Sequence, residues 1–157
     1  MRRKDREVAA PDEIAAILEK CPVGHLALSD GDKAYVVPLN FAWRTAADGK
    51  MTIYFHCAKE GRKIDLIRKN PNACFEADCS FSLVKGSSAC RWSALYESVI
   101  GEGRAALVDD PAEKQEALDF LMKRYGFEGK PNYEPAELAA VAVIRLDVEQ
   151  ISAKRKV

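Results

Sequence analysis

Alternation of apolar and polar residues in the first half of the chain predicts antiparallel β-strands. Within residues 34–43 every second position is aromatic or apolar, so these side chains share one face of a strand. The segment 51–57 alternates in the same way and places Thr52, Tyr54 and His56 on a common face. Turn-forming residues that predict hairpins lie at 29–32 and 46–50.

The remaining segments predict a mainly β protein with peripheral helices. Further strands are expected at 23–28, 73–81, 92–107 and 139–151, the third of them bent near Gly101 and Gly103. Helical periodicity and capping residues predict helices at 11–21, 61–70 and 110–125, with loops at 82–91 and 126–135. Because hairpin signals outnumber crossover helices, the pattern favours an antiparallel β-barrel over a parallel sheet.

Length and charge exclude several classes of protein. The 157 residues predict a single domain, 1–157, because the chain contains no repeat, linker or low-complexity segment. The formal net charge of +0 favours neither a nucleic acid nor an acidic membrane as a partner. No apolar run is long enough to span a bilayer, and the charged segment 1–7 lacks the apolar core of a secretory signal. We therefore expect a cytoplasmic protein.

The cysteine and histidine content does not predict a metal site. Five Cys occur without Cys-x-x-Cys spacing, and the chain has only two His, His25 and His56. Reduced thiols are the expectation in the cytoplasm. Cys57 adjoins His56, but alternation directs their side chains to opposite faces of a strand, which disfavours a reactive pair. His25 lies in an apolar strand and is assigned a structural role.

The turn at Gly61 has an unusual charge pattern. A predicted strand ends at His56, and a predicted helix begins after Gly61 with Arg62 and Lys63 in its first turn. The N-terminus of a helix presents free N–H groups and a positive dipole end, so it favours an anion. Cations in that turn oppose the dipole unless a phosphate neutralises them. The residues leave two interpretations open: a phosphate site, or an ordinary turn with two solvated cations.

Short segments spread along the chain match one known family in order and spacing. They lie at 1–7, 35–41, 54–63, 65–67, 70–71 and 96–103. Together they resemble the flavin-binding split-barrel proteins related to pyridoxamine 5′-phosphate oxidase, and within these the 5-nitroimidazole-resistance (nitroimidazole reductase) branch. The segment Ile144-Arg-Leu-Asp147 departs from the Arg-x-His pattern of pyridoxamine 5′-phosphate oxidase itself, which argues for different substrates.

The resemblance implies a six-stranded antiparallel split β-barrel that forms a homodimer with FMN bound at its interface. Arg62 and Lys63 would hold the phosphate, Gly61 would allow its close approach, and His56 would lie near the flavin. The implied cofactor-binding residues are Pro38, Leu39, Asn40, Phe41, His56, Cys57, Ala58, Gly61, Arg62, Lys63, Tyr96, Ser98 and Val99. The last three lie on a strand that completes the pocket across the dimer interface.

Several of these residues also have an ordinary structural interpretation. Pro38 lacks an N–H for a strand ladder, so it fits either a plain edge strand or a break that exposes backbone groups to the flavin. Asn40 bonds either the flavin or a neighbouring strand end. His56 is expected more as a pocket-lining residue than as a catalytic one. Trp92 and Tyr96 are expected in the core or at the dimer interface.

Three functional hypotheses follow from the resemblance. The first is an FMN-dependent oxidoreductase that passes electrons from a nicotinamide donor to a small acceptor, such as a nitroimidazole. The second is a flavin-binding protein without turnover of its own, acting as a sensor or reservoir. The third is a haem-binding split barrel, for which His25 and His56 are the only available histidine ligands.

Overall fold

The computed structural model describes residues 3–157, so the matched segment that begins at Met1 lies partly outside the described residues. The strands are β1 (Glu7–Val8), β2 (Gly24–Asp30), β3 (Lys33–Leu39), β4 (Phe41–Thr45), β5 (Met51–Ala58), β6 (Asn72–Val84), β7 (Ser93–Leu107) and β8 (Val141–Lys156). The helices are α1 (Pro11–Lys20), α2 (Arg62–Lys69), α3 (Pro111–Arg124) and α4 (Pro135–Ala140). Short 3-10 turns lie at Lys4–Arg6 and Ala89–Arg91.

The strands form one antiparallel sheet that curls into a split barrel. Its order is β3-β2-β6-β7-β8-β5-β4, and the two-residue β1 pairs with β8. The two edge strands, β3 and β4, are joined by Asn40 alone, so the sheet must curl until its edges meet. If β3 and β4 are counted as one interrupted strand, the barrel has the six long strands that were expected. The predicted mainly β split barrel is confirmed.

The prediction of one continuous strand over residues 34–43 was wrong in one respect. The chain changes partner at Asn40, because β3 pairs with β2 whereas β4 pairs with β5. Pro38 lies opposite His25 on β3, which has a neighbour on one side only. A residue without an N–H fits such an edge, as the sequence predicted. The alternation continues across the break, which is why periodicity alone did not reveal it.

Two hydrophobic cores hold the barrel and its helices. The interior core contains the fully buried rings of Phe41, Phe55 and Phe75, with Phe41 and Phe75 edge to face at 4.9 Å between centroids. The apolar faces of α1 and α2 cover this core. A second core lies between α3 and the outer surface of the sheet, where Tyr54 and Leu121 are buried. The helices α1 and α2 therefore pack against the strands that surround the interior core.

The structure corrects several predicted boundaries. The predicted loop 82–91 begins later, because β6 continues to Val84. The helix α4 occupies residues that were expected to be loop and early strand. The bend of β7 lies where it was predicted, since the register with β8 shifts between Glu102 and Gly103. Tyr125, at the end of α3, is 41% exposed and its hydroxyl donates to the Pro22 carbonyl.

Candidate functional site

The start of α2 has the geometry of an anion site. Gly61 caps the helix with φ at 127°, a conformation that favours glycine, and a Cβ there would have no neighbour within 4 Å. The first bonds of the helix run from the N–H groups of Ile64 and Asp65 to the Gly61 carbonyl. The N–H groups of Arg62 and Lys63 come before these bonds and have no acceptor within the helix. The start of α2 therefore combines open space at Gly61, free backbone N–H groups and the cationic residues Arg62 and Lys63.

Arg62 is engaged by two residues that sequence reasoning missed. Its guanidinium donates to the Asp30 carboxylate, with Nη2 at 2.7 Å from Oδ2, and stacks 4.8 Å from the centre of the Tyr35 ring. Both Arg62 and Asp30 are substantially exposed, so the pair contributes little to stability. The hairpin 29–32 was predicted, but nothing in its sequence indicates that it reaches α2. Asp30 thus holds the cation in place and competes with any anion for it.

The end of β5 directs His56 and Cys57 to opposite faces, as the alternation predicted. Cys57 packs against the interior core. Burial raises the pKa of its thiol, while the nearby charge of Lys63 lowers it, and burial prevails. The thiol is therefore protonated and unreactive at neutral pH. His56 has a buried Nδ1 with no hydrogen-bond partner among residues 3–157, so one polar atom near the end of β5 is unsatisfied.

The link between β3 and β4 presents only part of the predicted set to solvent. Pro38 and Asn40 are exposed, whereas the ring of Phe41 is fully buried in the interior core. The Phe41 N–H donates to the Tyr125 hydroxyl at 3.1 Å. Phe41 and Phe55 form the last pair of the β4–β5 ladder, and Asn40 and His56 are the residues next to this pair in the two segments. The break in the strand thus lies beside the end of β5.

The predicted residues of β7 lie far from the turn within one chain. Val99 is fully buried in the interior core, and the Tyr96 hydroxyl accepts a hydrogen bond from Arg6. His56 lies opposite Val143 on β8, whereas Ser98 lies opposite a residue eleven positions further on. That separation is about 36 Å of extended strand. The described residues of one chain therefore form two separate groups of predicted site residues.

The hairpin between β6 and β7 carries large apolar side chains into solvent. Phe81 is 69% exposed, Leu83 57% and Trp92 50%. The sequence predicted Trp92 in the core or at an interface, and the structure removes it from the core of the single chain. A cluster of exposed aromatic and aliphatic residues is typical of a surface that another molecule covers.

The cavities of the single chain do not coincide with the predicted residues. A cavity of about 610 Å³ lies between the β2–β3 hairpin and β6, lined by Ala27, Cys74 and Glu102 among others, and it contains none of them. The edge strand β3 has a neighbour on one side only, so a single chain would not enclose a ligand that lies along it. Within residues 3–157 no three His, Cys, Asp or Glu side chains cluster as metal ligands would. No helix in the described part of the chain is both long and apolar enough to cross a membrane.

The fold and the turn at Gly61 define a split barrel with a candidate anion site on its rim. A family model described as pyridoxamine 5′-phosphate oxidase matches residues 10–155, and the chain belongs to this family. A search of curated proteins gave no match.

Solved structures give the same fold. A candidate 5-nitroimidazole antibiotic resistance protein from Bacteroides thetaiotaomicron is 27% identical, with a TM-score of 0.81, and the match covers 94% of this chain and 85% of that one. The flavocytochrome Anf3 from Azotobacter vinelandii is 25% identical with a TM-score of 0.84, covering 100% and 72%. An FAD and heme binding protein from Mycobacterium smegmatis, at 17% identity, TM-score 0.82 and coverage of 96% and 73%, supports the fold alone.

Proposed function

We propose that the protein binds FMN and acts as an oxidoreductase that passes electrons from a nicotinamide donor to a small acceptor. The observation that carries the proposal is the start of α2, where Gly61, Arg62 and Lys63 present open space, free N–H groups and two cations beside the end of β5. A terminal phosphate monoester, which is close to a dianion at neutral pH, matches this set. Family membership supports the same assignment.

The chain offers suitable groups for the rest of the cofactor. In this proposal the flavin ring lies along the break between β3 and β4 and beside the last residues of β5. The lining residues are those of the sequence prediction: Pro38, Leu39, Asn40, Phe41, His56, Cys57 and Ala58. Cys57 would contribute backbone groups, because its side chain packs against the interior core. Asn40 and His56 both adjoin the last β4–β5 pair there, and the unpartnered Nδ1 of His56 is the buried polar atom that a ligand would satisfy. The Phe41 ring is fully buried, so it would support these residues from the interior core.

We further propose that a second copy of the chain completes the site. Tyr96, Ser98 and Val99 lie at the opposite end of β8 from His56, so they would reach a flavin only from a second copy, the fully buried Val99 through its backbone. The exposed apolar hairpin with Phe81, Leu83 and Trp92 is the kind of surface that a dimer would bury. The homodimer implied by the resemblance therefore stays part of the proposal.

FMN suits the turn better than FAD does. Two cations and one helix N-terminus match a single terminal phosphate, whereas a pyrophosphate with an adenosine extension needs contacts further along the surface. Because Arg62 already pairs with the exposed Asp30, a phosphate would exchange one surface ion pair for a stronger bidentate one.

In this assignment the residues of the chain bind, orient and shield rather than perform acid–base chemistry. Bound FMN supplies the exchange of hydride and electrons. Arg62, Lys63 and the first N–H groups of α2 would hold the phosphate. His56 Nδ1 holds a hydrogen bond to the cofactor or the acceptor. The thiol of Cys57 takes no part, because burial keeps it protonated.

The experiment is an absorption spectrum of the purified protein, followed by titration of the apo form with FMN and with FAD. The proposal expects an oxidised-flavin spectrum or saturable uptake, with FMN bound more tightly than FAD. No uptake of either flavin at millimolar concentration would overturn it. Oxidation of NADH or NADPH by the loaded protein, with and without a nitroimidazole, then separates an enzyme from a flavin-binding protein without turnover.

Haem binding is a second candidate, favoured by the match of Anf3, a flavocytochrome, to the whole of this chain. An axial ligand would have to come from His25 or His56 if it is a histidine. His25 Nδ1 contacts Glu76 at 3.1 Å, which leaves Nε2 of a partly exposed ring to bind iron, whereas the Nδ1 of His56 is buried. A Soret band after reconstitution with haem would support this candidate, and its loss in His25→Ala but not in His56→Ala would assign the ligand to His25. Cytoplasmic location stays a prediction of the sequence.

A further inference from the structure

A second cavity, of about 480 Å³, is lined by residues from the end of β7 and the start of β8, which lie on the other side of β5 from β4 in the sheet order. Three cationic residues line it, each from a different element: Lys59 from the turn after β5, Arg68 from α2 and Lys114 from α3. Asp109 is the one carboxylate among the described lining residues. The remaining wall is mainly apolar, with Leu107 from the end of β7 and Val141 from the start of β8. Positive charge thus exceeds negative charge around an apolar hollow.

Lys114 is held inside this hollow rather than at its rim. Its ammonium group donates to the carbonyl oxygens of Leu138 at 2.6 Å and Val141 at 2.7 Å. An ammonium group has three N–H donors, so one remains after these two bonds. Burial lowers the pKa of Lys114, and the nearby charge of Lys59 lowers it further. Two positive charges are therefore held close together, at a cost that a bound anion would remove.

The structural role of Lys114 does not explain the other two cations. Its bonds to Leu138 and Val141 satisfy carbonyl groups around the C-terminal end of α4, which is a sufficient reason for one lysine. Arg68 has only a long contact of 3.9 Å with Asp65 on its own helix. Lys59 belongs to a different segment, and its positive charge is close enough to Lys114 to lower the pKa of that lysine. Three cations from three different elements therefore line one cavity, which is an arrangement that suits an anionic ligand.

We propose that this cavity binds a small organic anion, a carboxylate or phosphate group carried on an apolar body. The anionic group lies between Lys59, Arg68 and the free donor of Lys114, and the apolar part packs against Leu107 and Val141. Such a site is distinct from the phosphate site, because Gly61, Arg62 and Lys63 do not line the cavity. It gives the protein a binding place for a second small molecule close to the proposed cofactor. The proposal does not require that the cofactor be FMN.

The experiment is calorimetric titration of the protein with phenyl phosphate and with benzoate, in the presence of saturating FMN. The variant Lys59→Ala with Arg68→Ala removes two of the three cations, and both side chains are on the surface, so the fold should survive. Lys69→Ala is the matched control, since Lys69 is next to Arg68 on α2 but does not line the cavity. Lys114 is left unchanged because of its bonds to the α4 end.

The proposal expects saturable binding of at least one probe, weakened at least tenfold in the double variant and less than twofold in the control. The better-bound probe identifies the anion as phosphate or carboxylate. Absence of binding of both probes, or equal affinities in the double variant and the control, would overturn it. A protein that does not take up FMN is titrated in its apo form, so failure of the flavin assignment is recorded separately. Displacement of FMN by phenyl phosphate would place the probe at Gly61 and would also contradict the proposal.

Discussion

The two clusters of charge in this molecule differ in how completely they are paired. Near one end of β7, Glu97 is only 4% exposed and accepts hydrogen bonds from Lys20 at 2.7 Å, Arg155 at 2.6 Å and Ser80 at 2.8 Å. At the start of α2, Arg62 has only the exposed Asp30, and the neighbouring His56 Nδ1 has no partner within the described chain. Paired charges that surround a buried carboxylate serve the fold. The exposed guanidinium of Arg62 is available to a ligand, and the buried Nδ1 of His56 is a polar atom that the described chain leaves unsatisfied.

The largest expected effect of breaking this contrast is on stability. Glu97→Gln removes the negative charge that Lys20 and Arg155 surround, so Lys20 loses its carboxylate partner whereas Arg155 keeps Glu13 at 2.7 Å. Because Lys20 is half exposed, we expect a loss of about 3 kcal/mol in the free energy of unfolding, at the lower end for a broken buried pair. Urea denaturation at pH 7 measures it. FMN affinity should change less than twofold, and a large change in that affinity would mean that the two clusters are coupled.

The same carboxylate predicts a dependence of stability on pH. Burial opposes ionisation of Glu97, but the hydrogen bonds from Lys20, Arg155 and Ser80 outweigh it and lower the pKa from 4.5 to about 2. A lowered pKa in the folded state stabilises the protein above the unfolded value, and this contribution is lost as the pH falls from 4.5 towards 2. The difference in unfolding free energy between wild type and Glu97→Gln should therefore shrink over that interval. A difference that stays constant would contradict the assignment.

A smaller effect, of the opposite kind, is expected at His56. His56→Phe keeps the size of the ring and removes a buried Nδ1 that has no partner among the described residues. The apo protein should keep its stability or gain up to about 1 kcal/mol, since no hydrogen bond is lost. Turnover with NADH or NADPH, or FMN affinity if there is no turnover, should fall about tenfold. A substantial loss of apo stability without a change in function would show that His56 serves the fold.

The smallest effect concerns the residue that competes for Arg62. Asp30→Asn should tighten FMN binding about threefold, about 0.6 kcal/mol, because the guanidinium no longer has an exposed carboxylate partner. Asp32→Asn is the matched control in the same hairpin. Fluorescence titration of FMN measures both variants. Weaker binding in Asp30→Asn would show that Asp30 positions Arg62 for the phosphate instead of competing with it.

The sequence predicted the architecture because strand alternation and turn residues are local signals. The hairpin at 46–50 and the bend near Gly103 were found in this way, since each depends on a few adjacent residues. The change of partner at Asn40 was missed because the inward and outward positions continue unbroken through it. Residues 82–84 were predicted as part of the loop 82–91 because that segment holds small, polar and Gly residues, whereas β6 continues to Val84 with Leu83 57% exposed.

The candidate site was predictable only where one segment carries it. Gly61, Arg62 and Lys63 are adjacent in sequence, so their charge pattern was visible without a structure. The pairing of Arg62 with Asp30 joins segments 32 residues apart, and no local pattern indicates it. The cavity with Lys59 and Lys114 was invisible for the same reason, because its cations come from separate elements.

The most direct test of the account is the ratio of FMN affinity to riboflavin affinity, because riboflavin lacks only the phosphate. We predict a ratio of at least 100 in the wild type, about 2.7 kcal/mol, which falls to near 1 in Arg62→Ala with Lys63→Ala. The matched control, Arg68→Ala with Lys69→Ala, removes two cations from the other end of α2 and should keep the wild-type ratio. A ratio that is unchanged in the first variant, in a protein that still folds, would contradict the phosphate site at Gly61.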